Sequence, residues 1–215
     1  NNLIDNQENL IKMIVDYELY LSKLKTDKQI PLDCLEYIEI NISCPSTTNP
    51  RIISYDIIAF SRLLENIKNL ELNNINIGLK LAPFVDKCLL QQIAEIIIIY
   101  YKTSRIFYIV CGNSIPNGML IDINTGNPIL SVKTGGISGI TNRLIGVSNV
   151  YQFNDLFHKL DFQNIVILGC GGIEKANDVL EYIKAGAKGI QIGRVLYIEG
   201  VSKLNNIWNN LSSKL

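Results

Sequence analysis

The stretch from Asn164 to Leu196, NIVILGCGGIEKANDVLEYIKAGAKGIQIGRVL, constrains the fold of this 215-residue chain more than any other part of it. It reads as strand, glycine turn, helix and strand, then a second glycine turn before another helix. Ile165 to Leu168 is a run of branched apolar residues, the pattern of a parallel strand covered on both faces. Gly169, Gly171 and Gly172 follow at once, where backbone must approach a neighbour closely or take positive φ. Amphipathic Lys175 to Lys184 ends at Gly186, a residue suited to the position just past a helix. Ile190 to Ile192 then runs into Gly193. Two successive βα turns, both glycine-lined and both at the carboxyl ends of strands, offer backbone N–H groups to one phosphate. The segment predicts an α/β barrel with a phosphorylated ligand.

Composition limits the alternatives. With 47% hydrophobic and 19% charged residues, the chain can bury a large core as one soluble domain over 1–215. Twenty basic residues balance twenty acidic ones, so no nucleic-acid or acidic-membrane footprint is present. The five cysteines (Cys34, Cys44, Cys88, Cys111, Cys170) are odd in number and form no CxxC pair, the usage expected of reduced thiols in the cytoplasm. The longest apolar run, Ile96 to Ile99 with Tyr100 and Tyr101, falls far short of the ~20 residues of a membrane span and reads as one buried helix face. The chain begins with Asn1 rather than Met, and is expected to be a fragment whose targeting segment, if any, lies upstream.

Asp5 and Glu8 form a D-x-x-E cap, with Leu10, Ile14, Tyr17, Leu21 and Leu24 following at helical spacing. Tyr37 to Ser43 alternates: Ile38, Ile40 and Ile42 on one face, Glu39, Asn41 and Ser43 on the other. In a barrel the isoleucines meet the outer helices and the polar set faces the lumen. Helix is expected over about 56–70, 86–102, 142–160 and 200–214. Strands are expected over 75–81 and 106–110, with Gly78 and Lys80 sharing a face on the former. Gly118 to Val132 reads as an inserted hairpin. Five parallel-type strands each precede a helix, against the eight strands and roughly 250 residues of a complete (β/α)8 barrel. Three N-terminal strands are therefore expected to be absent from this chain. An open sheet is the other arrangement for five strands; lumen-facing Asn41 and Lys80 favour the barrel.

Several residues at strand ends can carry chemistry. Cys44, stiffened by Pro45, is either a small turn residue or a thiol able to act as base or nucleophile. Lys80, on an inner face, needs an anionic partner or a path to solvent. Asn113 and Ser114 are turn formers, and equally neutral donors and acceptors for an amide or carboxylate ligand. Gly135, Gly136 and Gly139 make a third flexible loop. His158, within a helix, and Trp208 read as packing residues. The Asn41 sequon lies inside a strand and is not read as a glycan site.

The strings INISCPS (from Ile40), IGLKLAP (from Ile77), NSIPNG (from Asn113), GGISG (from Gly135), GCGGI (from Gly169) and QIGRVL (from Gln191) fall in the order found in dihydroorotate dehydrogenases, which this sequence resembles from about Asn6 onward. Cysteine at position 44 resembles the class 1 enzymes, and the string from Asn113 followed by Ile121-Asp122 most resembles class 1A, the cytosolic, homodimeric, fumarate-reducing branch. The resemblance implies FMN and the oxidation of dihydroorotate to orotate, with Cys44 as the base for the C5 proton. It implies Asn41, Asn113 and Ser114 as substrate ligands, and Asn41, Lys80 and Gly112 beside the flavin. Gly139, Gly171, Gly172, Gly193 and Arg194 would hold the phosphate. It further implies a cytoplasmic homodimer without nucleic-acid or membrane partners. Ser46 departs from the family's asparagine, Arg194 from its threonine and Arg143 from its lysine. The family's N-terminal strands, with a further lysine and a substrate loop, are not in this sequence. The alternatives are another phosphate-binding barrel enzyme or a catalytically silent barrel remnant.

Overall fold

A computed structural model describes residues 2–27, 37–43, 51–70 and 72–212. Strands and helices alternate along the chain, as the parallel α/β reading requires, and the chain divides into two compact units.

The first unit comprises Asn1–Leu81, Asp86–Ile109 and Leu156–Val166. It holds α1 (Asn2–Thr26), β1 (Tyr37–Asn41), a 3-10 turn (Ile53–Tyr55), α2 (Ile57–Lys68), β2 (Asn76–Leu81), α3 (Lys87–Tyr100) and most of β3 (Ile106–Cys111). Its strands lie in the order β1-β2-β3. β1 and β2 are parallel with Glu39 opposite Gly78, Ile40 opposite Leu79 and Asn41 opposite Lys80. That register aligns the two polar alternations seen in the sequence. Asp56 caps α2 by accepting the Ala59 N–H at 3.0 Å, and Asp86 caps α3 by accepting from Cys88 and Leu89. The core joins Leu63, Leu64 and Ile67 of α2 to Ile77, Leu79 and Leu81 of β2 and Ile93, Ala94 and Ile97 of α3, all fully buried or nearly so. Each of the larger side chains contributes roughly 1.5–3 kcal/mol by leaving water.

α1 buries Ile14 and Leu21 as its spacing predicts. It begins at Asn2, which puts position 5 inside the helix rather than at its N-terminal boundary. Glu18 fixes the far end, one carboxylate oxygen accepting N–H groups of Asn73 and Asn74 at 3.0 and 2.8 Å.

The second unit comprises Ala82–Val85, Val110–Asp155 and Ile167–Leu215. It contains the end of β3, β4 (Ile115–Gly118), β5 (Gly135–Ile137), most of α4 (Ile140–Lys159), β6 (Val166–Cys170), α5 (Ala176–Ala185), β7 (Gly189–Gln191), α6 (Arg194–Glu199) and α7 (Ser202–Ser212). The order is β3-β6-β7, with β6 and β7 parallel. The expected hairpin is present but longer: β4 and β5 pair antiparallel at its base and Ile121 bridges Pro128 near its tip. Gly186 closes α5 at φ 113°.

Gly169 belongs to β6, not to the turn after it. A β-carbon there would lie 2.2 Å from the Tyr182 ring, and one at Gly146 2.2 Å from the Tyr182 hydroxyl. Both glycines make room for this buried tyrosine. Three apolar expectations are corrected. In the run Ile96 to Ile99, Ile97 is buried but Ile99 is 70% exposed, because four consecutive residues cannot share one helix face. Trp208 is 66% exposed; α7 turns Ile207 and Leu211 inward and leaves the next residue outside. His158 is exposed on α4, its ring nitrogen 3.1 Å from the Gln163 amide.

Gly169→Ala is expected to destabilise the protein by about 1–3 kcal/mol through overpacking against Tyr182. Gly193, which has nothing within 4 Å of its β-carbon position and a negative φ, should tolerate Ala within ~0.5 kcal/mol. Chemical denaturation of the two variants checks the contrast.

Candidate functional site

In the first unit the polar faces of β1 and β2 meet. Lys80 Nζ lies 4.0 Å from Glu39 Oε1, with both side chains about a quarter exposed. The anionic partner that a part-buried lysine requires is thus Glu39. The other carboxylate oxygen of Glu39 accepts the Tyr108 hydroxyl at 3.2 Å. Tyr108 reaches it from β3 by lying over Gly78 on the intervening strand, where a β-carbon would fall 2.0 Å from the ring. Burial and the Glu39 charge push the Tyr108 hydroxyl up to about 12. Asn41 is exposed at the end of β1, its Oδ1 accepting the Ser43 hydroxyl at 2.7 Å and the Ser43 N–H at 3.2 Å. Ser54, fully buried, donates its hydroxyl to the Ile42 carbonyl and so fixes the chain just beyond β1. A groove of about 690 Å³ runs beside Glu39 and Asn41, with Met13, Tyr17 and Tyr20 of α1 on its other wall. Cys44 and Ser46 lie outside the described residues.

In the second unit the glycine loops form a cluster. Gly112, Gly139, Gly171 and Gly172 have φ of 131°, 86°, 112° and 63°, a conformation that glycine adopts without strain. Gly112 also lets the Cys170 carbonyl approach to 2.0 Å of where a β-carbon would stand. Tyr182 donates to the carbonyls of Cys170 and Gly171, both at 2.9 Å, so the loop after β6 is held by its oxygens. Among the described residues the N–H groups of Gly171, Gly172 and Gly193 make no hydrogen bond. Unpaired donors on adjacent loops suit an anion.

Arg194 carries its guanidinium beside Gly139, 3.7 Å from that glycine's β-carbon position. It pairs at 3.2 Å with Glu174, and both side chains are near half exposed. Arg143 is part-buried and pairs with the fully buried Asp178, whose other oxygen accepts the Glu174 and Lys175 N–H groups at 2.9 and 3.0 Å. This locks the loop after β6 to α4. Asn113 accepts the Ser114 N–H on its side-chain oxygen at 2.8 Å, a turn bond, and its carbonyl takes the Asn142 amide at 2.7 Å. Asn142 is 3% exposed and its Oδ1 has no partner among the described residues, which leaves a buried acceptor in the cluster. Burial pushes the Cys111 thiol far up, making it an inert core residue.

Of the residues that sequence reasoning singled out, Asn41 and Lys80 lie in the first unit, and Gly112, Asn113, Ser114, Gly139, Gly171, Gly172, Gly193 and Arg194 in the second. That reasoning passed over Tyr108, Asn142 and Glu174. Glycine at position 78 was the available signal for the first, since a glycine inside a strand marks a close neighbour.

The parallel strands, alternating helices and glycine-lined strand ends define an α/β protein of the TIM-barrel class. A solved structure of DHODH from Eimeria tenella with ferulenol shares this fold, with TM-score 0.56 and 18% identity over 82% of this chain and 49% of the other. The family described as dihydroorotate dehydrogenase matches residues 8–215, and this chain belongs to it. It is 32% identical over 82% of its length to a putative dihydroorotate dehydrogenase A (fumarate) of Streptococcus pyogenes, covering 53% of that protein. It is 33% identical over 77% of its length to the catalytic subunit of dihydroorotate dehydrogenase B (NAD(+)) of Archaeoglobus fulgidus, covering 50%. A dihydroorotate dehydrogenase (fumarate) of Lachancea kluyveri is 30% identical over 80% of the chain, with 52% covered. The chain spans about half the length of these relatives.

The late ionisation of Tyr108 ties its part-buried hydrogen bond to the pH dependence of stability. A group whose folded pKa exceeds its ordinary value of 10.0 contributes stability below pH 10 that is lost as pH rises through about 12. Ultraviolet titration should show one tyrosine ionising near the upper end of that window, and Tyr108→Phe should remove this late step.

Proposed function

We propose that this chain carries the flavin- and substrate-binding part of a dihydroorotate dehydrogenase, which oxidises dihydroorotate to orotate in pyrimidine (UMP) synthesis. The observation that carries the reading is the set of glycine loops with unpaired N–H groups beside Arg194, within a chain of this family. These donors and the orphaned acceptor Asn142 Oδ1 fit a phosphate on a hydroxylated tail, which FMN has. FMN, when bound, supplies the hydride acceptor for the C6 hydrogen of dihydroorotate.

The residues divide the work by chemistry. Gly139, Gly171, Gly172 and Gly193 present backbone to the phosphate. Arg194 adds a guanidinium able to bind it in bidentate fashion. Its exposed pair with Glu174 is worth at most about 1 kcal/mol, so a phosphate displaces that carboxylate readily. Lys80 supplies positive charge at the N1/C2 edge of the isoalloxazine, and Gly112 lines the ring. Asn41, Asn113 and Ser114 hydrogen-bond the substrate, with Asn41 also beside the flavin. Cys44 Sγ takes the C5 proton as general base. Fumarate as final oxidant follows the names of the Streptococcus and Lachancea relatives; the Archaeoglobus relative is named for NAD(+). A cytoplasmic homodimer completes the class 1A reading.

The full-length protein is expected to be yellow, with flavin absorbance bands. Cys44→Ala should keep FMN and lose dihydroorotate oxidation by about 10²–10⁴-fold, the usual contribution of a general base. A folded, colourless protein that takes up no added FMN overturns the proposal. At the phosphate end, Glu174→Gln should tighten FMN binding and Arg194→Thr weaken it, each by several-fold, in a fluorescence titration.

A further inference from the structure

Lys80 is one corner of a three-strand arrangement that the reaction itself does not call for. Glu39 on β1 stands between two donors: the Lys80 ammonium on β2, 4.0 Å from one oxygen, and the Tyr108 hydroxyl on β3, 3.2 Å from the other. The tyrosine reaches across a strand to do this, and can only because position 78 has no β-carbon. Glu39 is opposite Gly78 and Asn41 opposite Lys80 in the ladder, so the carboxylate lies one step below the lysine on the same face. A hydrogen-bond donor and an ammonium thus divide one carboxylate. Whatever charge density the tyrosine draws to its own oxygen is withdrawn from the lysine side.

We propose that Glu39 and Tyr108 are positioning residues that set how much positive charge Lys80 presents to a bound flavin. The proposal rests on Lys80 facing the flavin, as the proposed function has it. Glu39 neutralises part of the ammonium's field, and Tyr108 moderates that neutralisation by hydrogen-bonding the carboxylate. Reduced FMN carries more negative charge at the N1/C2 edge than oxidised FMN, so the net field there weights the two forms differently. Removing the Glu39 charge therefore favours the reduced form. Removing the Tyr108 donor returns the carboxylate to the lysine and favours the oxidised form.

The test is the two-electron midpoint potential of the FMN-loaded protein, with flavin affinity measured in parallel. Glu39→Gln, which keeps an acceptor for Tyr108, should raise the preference for reduced over oxidised FMN at least tenfold, a positive shift of about 30 mV or more. Tyr108→Phe should shift the potential the opposite way by a smaller amount. Opposed signs are expected of charge tuning, whereas general loosening of the sheet moves both variants alike. Unchanged potentials, or shifts of the same sign, overturn the inference while leaving the proposed function standing. If Glu39→Gln does not fold, Tyr108→Phe decides alone: a negative shift supports the inference, and no shift or a positive one overturns it. A parent protein that binds no FMN overturns the functional reading, and this inference with it.

Discussion

The hydroxyl of Tyr182 governs the second unit. It donates at 2.9 Å to two successive carbonyls, Cys170 and Gly171, and its ring fills the space left by the missing β-carbons of Gly146 and Gly169. A buried hydroxyl without a partner would cost about 1–3 kcal/mol, so helix α5 and the loop after β6 hold each other in place. Burial pushes this phenol's ionisation far up, which keeps it a donor at all ordinary pH. Because the loop is secured through its oxygens, its N–H groups stay available. The Arg143–Asp178 pair holds the chain further on, by its N–H groups, Asp178 taking those of Glu174 and Lys175 but not those of Gly171 or Gly172.

The first unit solves a different problem, a lysine on a covered strand face. Its solution is local charge balance, with Glu39 placed by the β1–β2 register and supported by Tyr108. Removing one member of a part-buried pair leaves the other uncompensated, so these residues are constrained together even where no ligand touches them.

Much of this was legible in the chain. Alternation in Tyr37 to Ser43 gave β1 and its polar face, and helices were legible over about 56–70 and 86–102, which the structure caps with Asp56 and Asp86. The order of the glycine strings gave the family. What escaped has physical reasons. Helical apolar runs do not say which residue faces outward, hence Trp208 and Ile99. Gly169 read as part of a turn, but the structure makes it a contact point for Tyr182 within β6, a distinction only packing reveals. Arg194 read as a phosphate ligand by position; its pairing with Glu174 depends on side-chain reach that spacing does not encode. Tyr108 was invisible because its partner lies two strands and 69 residues away.

The passage of the Tyr108 ring over Gly78 bears on how this surface can change through descent. Any side chain at position 78 displaces the Tyr108 ring from its present place over the strand, and loss of the aromatic leaves that space unfilled. Either single change carries a cost, so positions 78 and 108 are constrained as a pair across neighbouring strands.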